Sequence, residues 1–217
     1  LREALAGSLA DAFARRDVAT TLQSIAVERA DNAKAVLRVR ESNRRTGGAY
    51  YIDNEAELRV TLVRDGGKWY IYDTETLSRR WIGPFGAPSP SAAEPDPGDE
   101  EAARNTIASY LEALNQENLN AALSCVHPDS PLRETTGRTL AWLFDTYDLV
   151  HTLESVRVLE RSGDEMYVHT VQLLSKTAGP LMAETRTEYV HTLRLSFGQW
   201  RLYSSVEGER EILSLPY

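Results

Sequence analysis

Past residue 100 the apolar positions recur first with helical and then with strand spacing. In "EEAARNTIASYLEALNQEN" Ile107, Tyr110, Leu111 and Leu114 fall on one helical face. "LNAALSCV" predicts a short second helix stopped before Pro128, and "RTLAWLFDTYD" a third with Leu140, Leu143, Phe144 and Tyr147 on one stripe. The period then shortens. "LESVRVLE", "EMYVHTVQLLSKT", "TRTEYVHTLRLSF" and "QWRLYSSV" are β-rich runs separated by "RSGD", "TAGP" and "FGQ" turns. Helices followed by a four-stranded antiparallel sheet predict an α+β domain.

The last two strands echo an earlier phrase. "LVRDGGKWYIYDTE" (62–75) and "LRLSFGQWRLYSSVE" (193–207) both place a glycine-containing turn before Trp, an aliphatic residue and Tyr. At an offset of 131, Trp69 falls on Trp200, Gly67 on Gly198, Tyr72 on Tyr203 and Leu62 on Leu193. The same offset matches Gly48 with Gly179, Val27 with Val158, Leu22 with Leu153, and Leu9, Ala10 and Phe13 with Leu140, Ala141 and Phe144. Residues 9–72 carry 16 such identities without a gap, against about 6% expected from composition. A tandem duplication explains this, and it predicts two α+β copies whose Trp69 and Trp200 are buried against helices. The counterpart of the helix at 101–117 falls before residue 1, so the first copy is expected to be N-terminally incomplete.

Between the copies lies "GPFGAPSPSAAEPDPGDE", with five of the nine prolines, which reads as a semi-extended spacer. The expected division is a first repeat at 1–82, a linker at 83–100 and a second repeat at 101–217. The second copy is expected to start near Asp99, with Glu100 and Glu101 at a helix N-terminus.

"YLEALNQENLNAALSCVHPDSP" (110–131), the strands after it and the closing "HTLRLSFGQWRLYSS" (191–205) resemble the nuclear transport factor 2-like superfamily, with its ketosteroid-isomerase-like and polyketide-cyclase-like members. The resemblance implies a cone in each copy, a curved antiparallel sheet wrapped on helices with a pocket at the open end. It implies little about function, because that superfamily holds enzymes, binders and assembly domains.

Composition narrows the function classes. Residues 1–82 carry 14 Lys and Arg against 12 Asp and Glu, and residues 83–217 carry 10 against 20, so neither half has the basic charge of a nucleic-acid-binding domain. Arg38, Arg40, Arg44 and Arg45 form a local basic patch at a solvated hairpin end. No apolar run is long enough for a membrane span. With one cysteine, Cys125, in an apolar run, no internal disulfide forms and a buried structural thiol is expected. The chain starts without methionine, which fits export or membrane tethering through an upstream segment, while the single cysteine fits the cytoplasm as well.

The histidines His127, His151, His169 and His191 are scattered without metal-ligand spacing, although His169 and His191 could meet across neighbouring strands. There is no phosphate-cradling or dinucleotide glycine motif, so no cofactor and no metal are expected. Strand alternation selects inward rows. In the first copy they are apolar: Ala35, Leu37 and Val39, then Ala56, Leu58, Val60 and Leu62. In the second the matching rows include Thr170, Gln172, Tyr189 and His191, which with Tyr110 would line a site for a small apolar or amphipathic ligand. Isomerase-type chemistry would need an inward carboxylate base, which these strands lack, so no catalytic residue is assigned. The outward row Tyr167, His169, Val171 and Leu173 is apolar where the first copy has Arg38 and Arg40, which predicts an interface with the other repeat, a second copy or a protein partner. A non-enzymatic ligand-binding or assembly module is therefore the expected function, and a small-molecule isomerase, cyclase or dehydratase the alternative.

Overall fold

The computed structural model describes residues 16–88 and 95–214, which fall into two compact units, one ending at Phe85 and the other beginning at Gly86. The chain is α+β. The first unit contains β1 (Arg16–Ala30), β2 (Lys34–Gly48), β3 (Asn54–Asp65) and β4 (Lys68–Trp81), paired antiparallel in chain order. The second contains α1 (Pro97–Asn115), α2 (Leu119–Ser124) and α3 (Arg133–Thr146), then β5 (Asp148–Ser162), β6 (Glu165–Ala178), β7 (Glu184–Ser196) and β8 (Gln199–Ser214) in a second antiparallel meander.

The two sheets share their irregularities. Register shifts at Leu22/Ser24 and Val27/Arg29 reappear 131 residues later at Leu153/Ser155 and Val158/Glu160. The pairs Leu62↔Ile71 and Arg64↔Trp69 reappear as Leu193↔Leu202 and Leu195↔Trp200. A β-bulge bends a strand and raises its twist, so common bulge positions give the two sheets the same local bends. The β3–β4 turn uses Gly66 and Gly67 at φ 55° and 80°, and the β7–β8 turn uses Phe197 and Gly198 at φ 50° and 76°. Two successive positive φ values are what a two-residue hairpin loop demands.

In the second unit α1 begins at Pro97, two residues before Asp99. The Asp96 side chain accepts from the Gly98 N–H at 2.9 Å, proline occupies the first turn, and Asp99 and Glu100 face the positive end of the helix dipole. The helix lays Ala103, Ile107, Leu111 and Leu114 on the sheet, where they join Leu140, Val156, Val158, Met166, Val168, Leu193 and Leu202 in one core. Each buried Leu or Ile contributes about 1.5–3 kcal/mol relative to exposure. Asn115 ties the C-terminal end of α1 to β5, donating to the His151 carbonyl at 3.0 Å and accepting from the His151 N–H at 2.7 Å. Tyr147, expected on the stripe of α3, is instead the extended residue that ends that helix.

The first sheet differs in what covers it. Trp69, expected to be buried, is 44% exposed, and Ile71 beyond it is 71% exposed. Trp200 is partly buried and packs against the core, and the Thr106 hydroxyl of α1 approaches its carbonyl at 3.4 Å. Among the described residues of the first unit there is no helix to perform that role. The helical matches at Leu9, Ala10 and Phe13, and spacer residues 89–94, lie outside the described residues.

Candidate functional site

The register of the second sheet brings the inward polar row together. β6 and β7 pair Thr170 with Tyr189 and Gln172 with Thr187, and β7 and β8 pair His191 with Ser205. His191, only 5% exposed, is held on three sides. Its Nε2 lies 3.0 Å from Thr170 Oγ1 and 3.1 Å from Gln172 Nε2, and its Nδ1 lies 2.7 Å from Ser205 Oγ. Gln172 Nε2 also donates to Thr170 Oγ1 at 3.0 Å. An amide nitrogen has only hydrogens to offer, so His191 Nε2 accepts and Nδ1–H donates to Ser205. Tyr189 stacks on the imidazole with ring centroids 5.6 Å apart. Ser205 was not among the sequence candidates; the only sequence signal for it was its place opposite His191 across a bulged hairpin.

Burial dominates the electrostatics. It lowers the His191 pKa to about 3, with His169 a lesser contributor, and raises that of Tyr110 on α1 to about 12. Tyr189 is likewise raised, by burial first and by Glu207 second. The space beside Tyr110 and Ser205 is a cavity of about 60 Å³, lined also by Ser130, Thr136, Leu202 and Tyr203, with no carboxylate among its residues. That is small beside the few hundred Å³ typical of a ligand site. General acid–base catalysis works best when the catalytic pKa lies near the operating pH, and neither His191 nor Tyr110 meets that condition. The Ser205–His191 pair does not make a nucleophile either, because the imidazole donates to the hydroxyl and its far nitrogen meets an amide and a hydroxyl, not an orienting carboxylate.

The outward row is largely covered. Tyr167 and Val171 are 1% and 7% exposed, while His169 and Leu173 are half-buried. Tyr167 donates to Glu165 Oε2 at 2.6 Å, and Arg194 Nε donates to Glu165 Oε1 at 2.6 Å with its guanidinium over the Tyr203 ring. His169 approaches Glu188 at 3.2 Å. Arg157 reaches the Gly86 carbonyl at 2.7 Å, and Gly86, at φ 68°, lies so close to His169 that an added Cβ would fall 2.3 Å from its ring. His169 and His191 do not meet: β6 and β7 set Val168 opposite His191, and alternation sends the two histidines to opposite faces. On the corresponding face of the first sheet Arg38 pairs with Glu28 and Glu57, and Arg59 with Glu28 and Glu75.

Cys125, expected to be buried, is half-buried, and burial raises its thiol pKa. It borders a cavity of about 370 Å³ with Thr106, Ser109, Trp200 and Arg201. Among the described residues no three His, Cys, Asp or Glu side chains cluster to hold a metal, and no described helix is long and apolar enough to cross a membrane.

A family model described as the anti-sigma-I factor RsgI9 C-terminal domain matches residues 2–81 and 105–213. The curated anti-sigma-I factor RsgI9 of Acetivibrio thermocellus is 29% identical over 106 residues, a stretch that is 49% of this chain and 15% of that protein. Two solved structures resemble the chain at low identity. A cystatin-like-fold protein of unknown function from Nostoc punctiforme covers 53% of this chain and 93% of its own, with a TM-score of 0.44 and 13% identity. A nuclear transport factor 2-like protein of unknown function from Pseudomonas putida covers 51% of this chain and 85% of its own, with a TM-score of 0.42 and 13% identity.

Proposed function

The chain belongs to the family of the anti-sigma-I factor RsgI9 C-terminal domain, and we propose that it is a non-enzymatic protein-interaction module of a regulator of that type, built as two tandem nuclear transport factor 2-like repeats. The observation that carries the non-enzymatic part is the closed network around His191. Thr170, Gln172 and Ser205 occupy both ring nitrogens, Tyr189 covers a face of the imidazole, and no carboxylate lines the small cavity beside it. A polar row that satisfies itself specifies how the sheet closes on its helices and leaves no group poised to move a substrate proton. The interaction part is supported by the family, and the outward row Tyr167, His169, Val171 and Leu173 does not carry it, because Tyr167 and Val171 are already buried.

The test is turnover. The full chain is incubated with a β,γ-unsaturated ketone and with a β-hydroxy ketone, the substrate types of an isomerase and a dehydratase, and product is followed by absorbance. No rate above buffer is expected. Turnover that disappears in both Tyr110→Phe and His191→Ala would overturn the non-enzymatic reading and restore the second cone as an active site.

A further inference from the structure

Apart from the His191 network, and independently of the protein-interaction reading, we infer that the second unit binds a small organic acid at the edge of its sheet. The ligand class is one carboxylate on a flat apolar body. The site is the cavity of about 370 Å³ bordered by α1, the end of α2 and the start of β8, a volume within the range of small-molecule pockets. α1 contributes a second face to it. Ile107 and Leu111 enter the core, whereas Asn105, Thr106 and Ser109 line the cavity. The remaining walls include Cys125, Trp200 and Arg201, which supply a thiol, an indole and one guanidinium. No carboxylate lines it.

Arg201 is the reason for an acid. Its Nη1 donates to the Ser124 carbonyl at 2.5 Å, at the end of α2, and its Nη2 donates to Gln199 Oε1 at 3.0 Å. Both partners are neutral, and among the described residues no carboxylate pairs with this guanidinium. Its Nε is buried without an acceptor among them, and an orphaned buried donor is costly. Arg194, directly opposite on β7, is paired with Glu165 at 2.6 Å. Like charges facing each other across a ladder repel, and the first copy avoids this with Val63 and Tyr70 at the same positions. The hairpin therefore does not require a cation at residue 201. Capping α2 uses Nη1 alone. Nε and Nη2 form the edge of a guanidinium that takes a carboxylate through two parallel hydrogen bonds. Half of that edge is held by the exposed Gln199, a neutral acceptor weaker than a carboxylate. An acid that displaces Gln199 satisfies Nε, supplies the missing counter-charge and lays its apolar body against Trp200.

The experiment titrates the ¹⁵N-labelled full chain with sodium benzoate at constant ionic strength. It follows the indole N–H of Trp200, assigned through Trp200→Phe, and the backbone amides of Cys125 and Arg201. Saturable shifts are expected with a dissociation constant of about 1 mM or below. Affinity should fall about tenfold in Arg201→Gln. It should fall several-fold in Arg201→Lys, which keeps a cation at the end of α2 but loses the fork. Gln199→Ala should bind at least as tightly as the parent, because the competing amide is gone. Benzamide, a neutral isostere, and inorganic phosphate, an anion without an apolar body, should each bind several-fold more weakly than benzoate. No saturation up to about 10 mM benzoate would overturn the inference. So would an equal response to benzamide or phosphate, or undiminished affinity in Arg201→Lys. If the amide spectrum shows that Arg201→Gln does not fold, the Arg201→Lys comparison decides.

Discussion

A fully buried imidazole between Thr170, Gln172 and Ser205 resists protonation, because the charged form would lose water and meet an amide N–H at its accepting nitrogen. The folded pKa of His191 is about 3 against an ordinary 6.5. Between those values the unfolded chain binds the proton and the folded chain does not. The stability of the second unit is therefore intact above pH 6.5 and declines on acidification toward pH 3, by up to about 1.4 kcal/mol per pH unit from this group. His191→Gln should flatten that slope in urea denaturation, and the imidazole ¹⁵N shifts should report a neutral Nδ1–H tautomer at pH 5. Two backbone positions give opposite expectations. Gly179, at φ 104°, has the Thr146 carbonyl oxygen 2.5 Å from where a Cβ would sit, so Gly179→Ala should cost about 1–3 kcal/mol in the same assay. Phe197 holds φ 50° with its side chain 94% exposed, at the place where the first hairpin has Gly66. Phe197→Asn should stabilise by about 1 kcal/mol, since Asn tolerates the left-handed region. A loss of stability would mean that the exposed ring contributes to the fold.

Among the elements, β7 and β3 form an internal control. Leu193 is fully buried, and its counterpart Leu62 is half-buried in an otherwise equivalent register. Leu193→Ala should cost about 2–5 kcal/mol, and Leu62→Ala clearly less, because the cavity penalty needs a closed shell of neighbours. Equal losses measured in the two variants would mean that the first sheet is covered as well as the second. The pairing order of β5–β8 was legible from period-2 alternation and glycine turns, and so was the inward row, because alternation assigns faces without knowledge of the fold. Ser205 was not legible, since its position opposite His191 depends on the bulge at Thr192/Leu193. Nor was the exposure of Trp69. Identity with Trp200 in sequence assigns the same face of the same hairpin, but burial depends on a second element, and α1 has no described counterpart in the first unit.

At the scale of the whole molecule, two compact units joined near Phe85 and Gly86 differ in how much apolar surface they close over. The second packs α1 on its sheet, with α2 against α1 and α3 against α2, whereas among the described residues the first leaves Leu22, Ile25, Val27, Trp69 and Ile71 exposed. Small domains retain little stability after conformational entropy is offset, so unclosed apolar surface weakens the first unit disproportionately. Urea denaturation followed by residue-resolved NMR should show two transitions, with β1–β4 lost at the lower urea concentration. Limited proteolysis with subtilisin should cut first between Gly83 and Asp96, where proline-rich sequence offers little to pack, and should leave a more resistant C-terminal piece. A single transition common to all strands would mean that the first sheet is no less stable than the second.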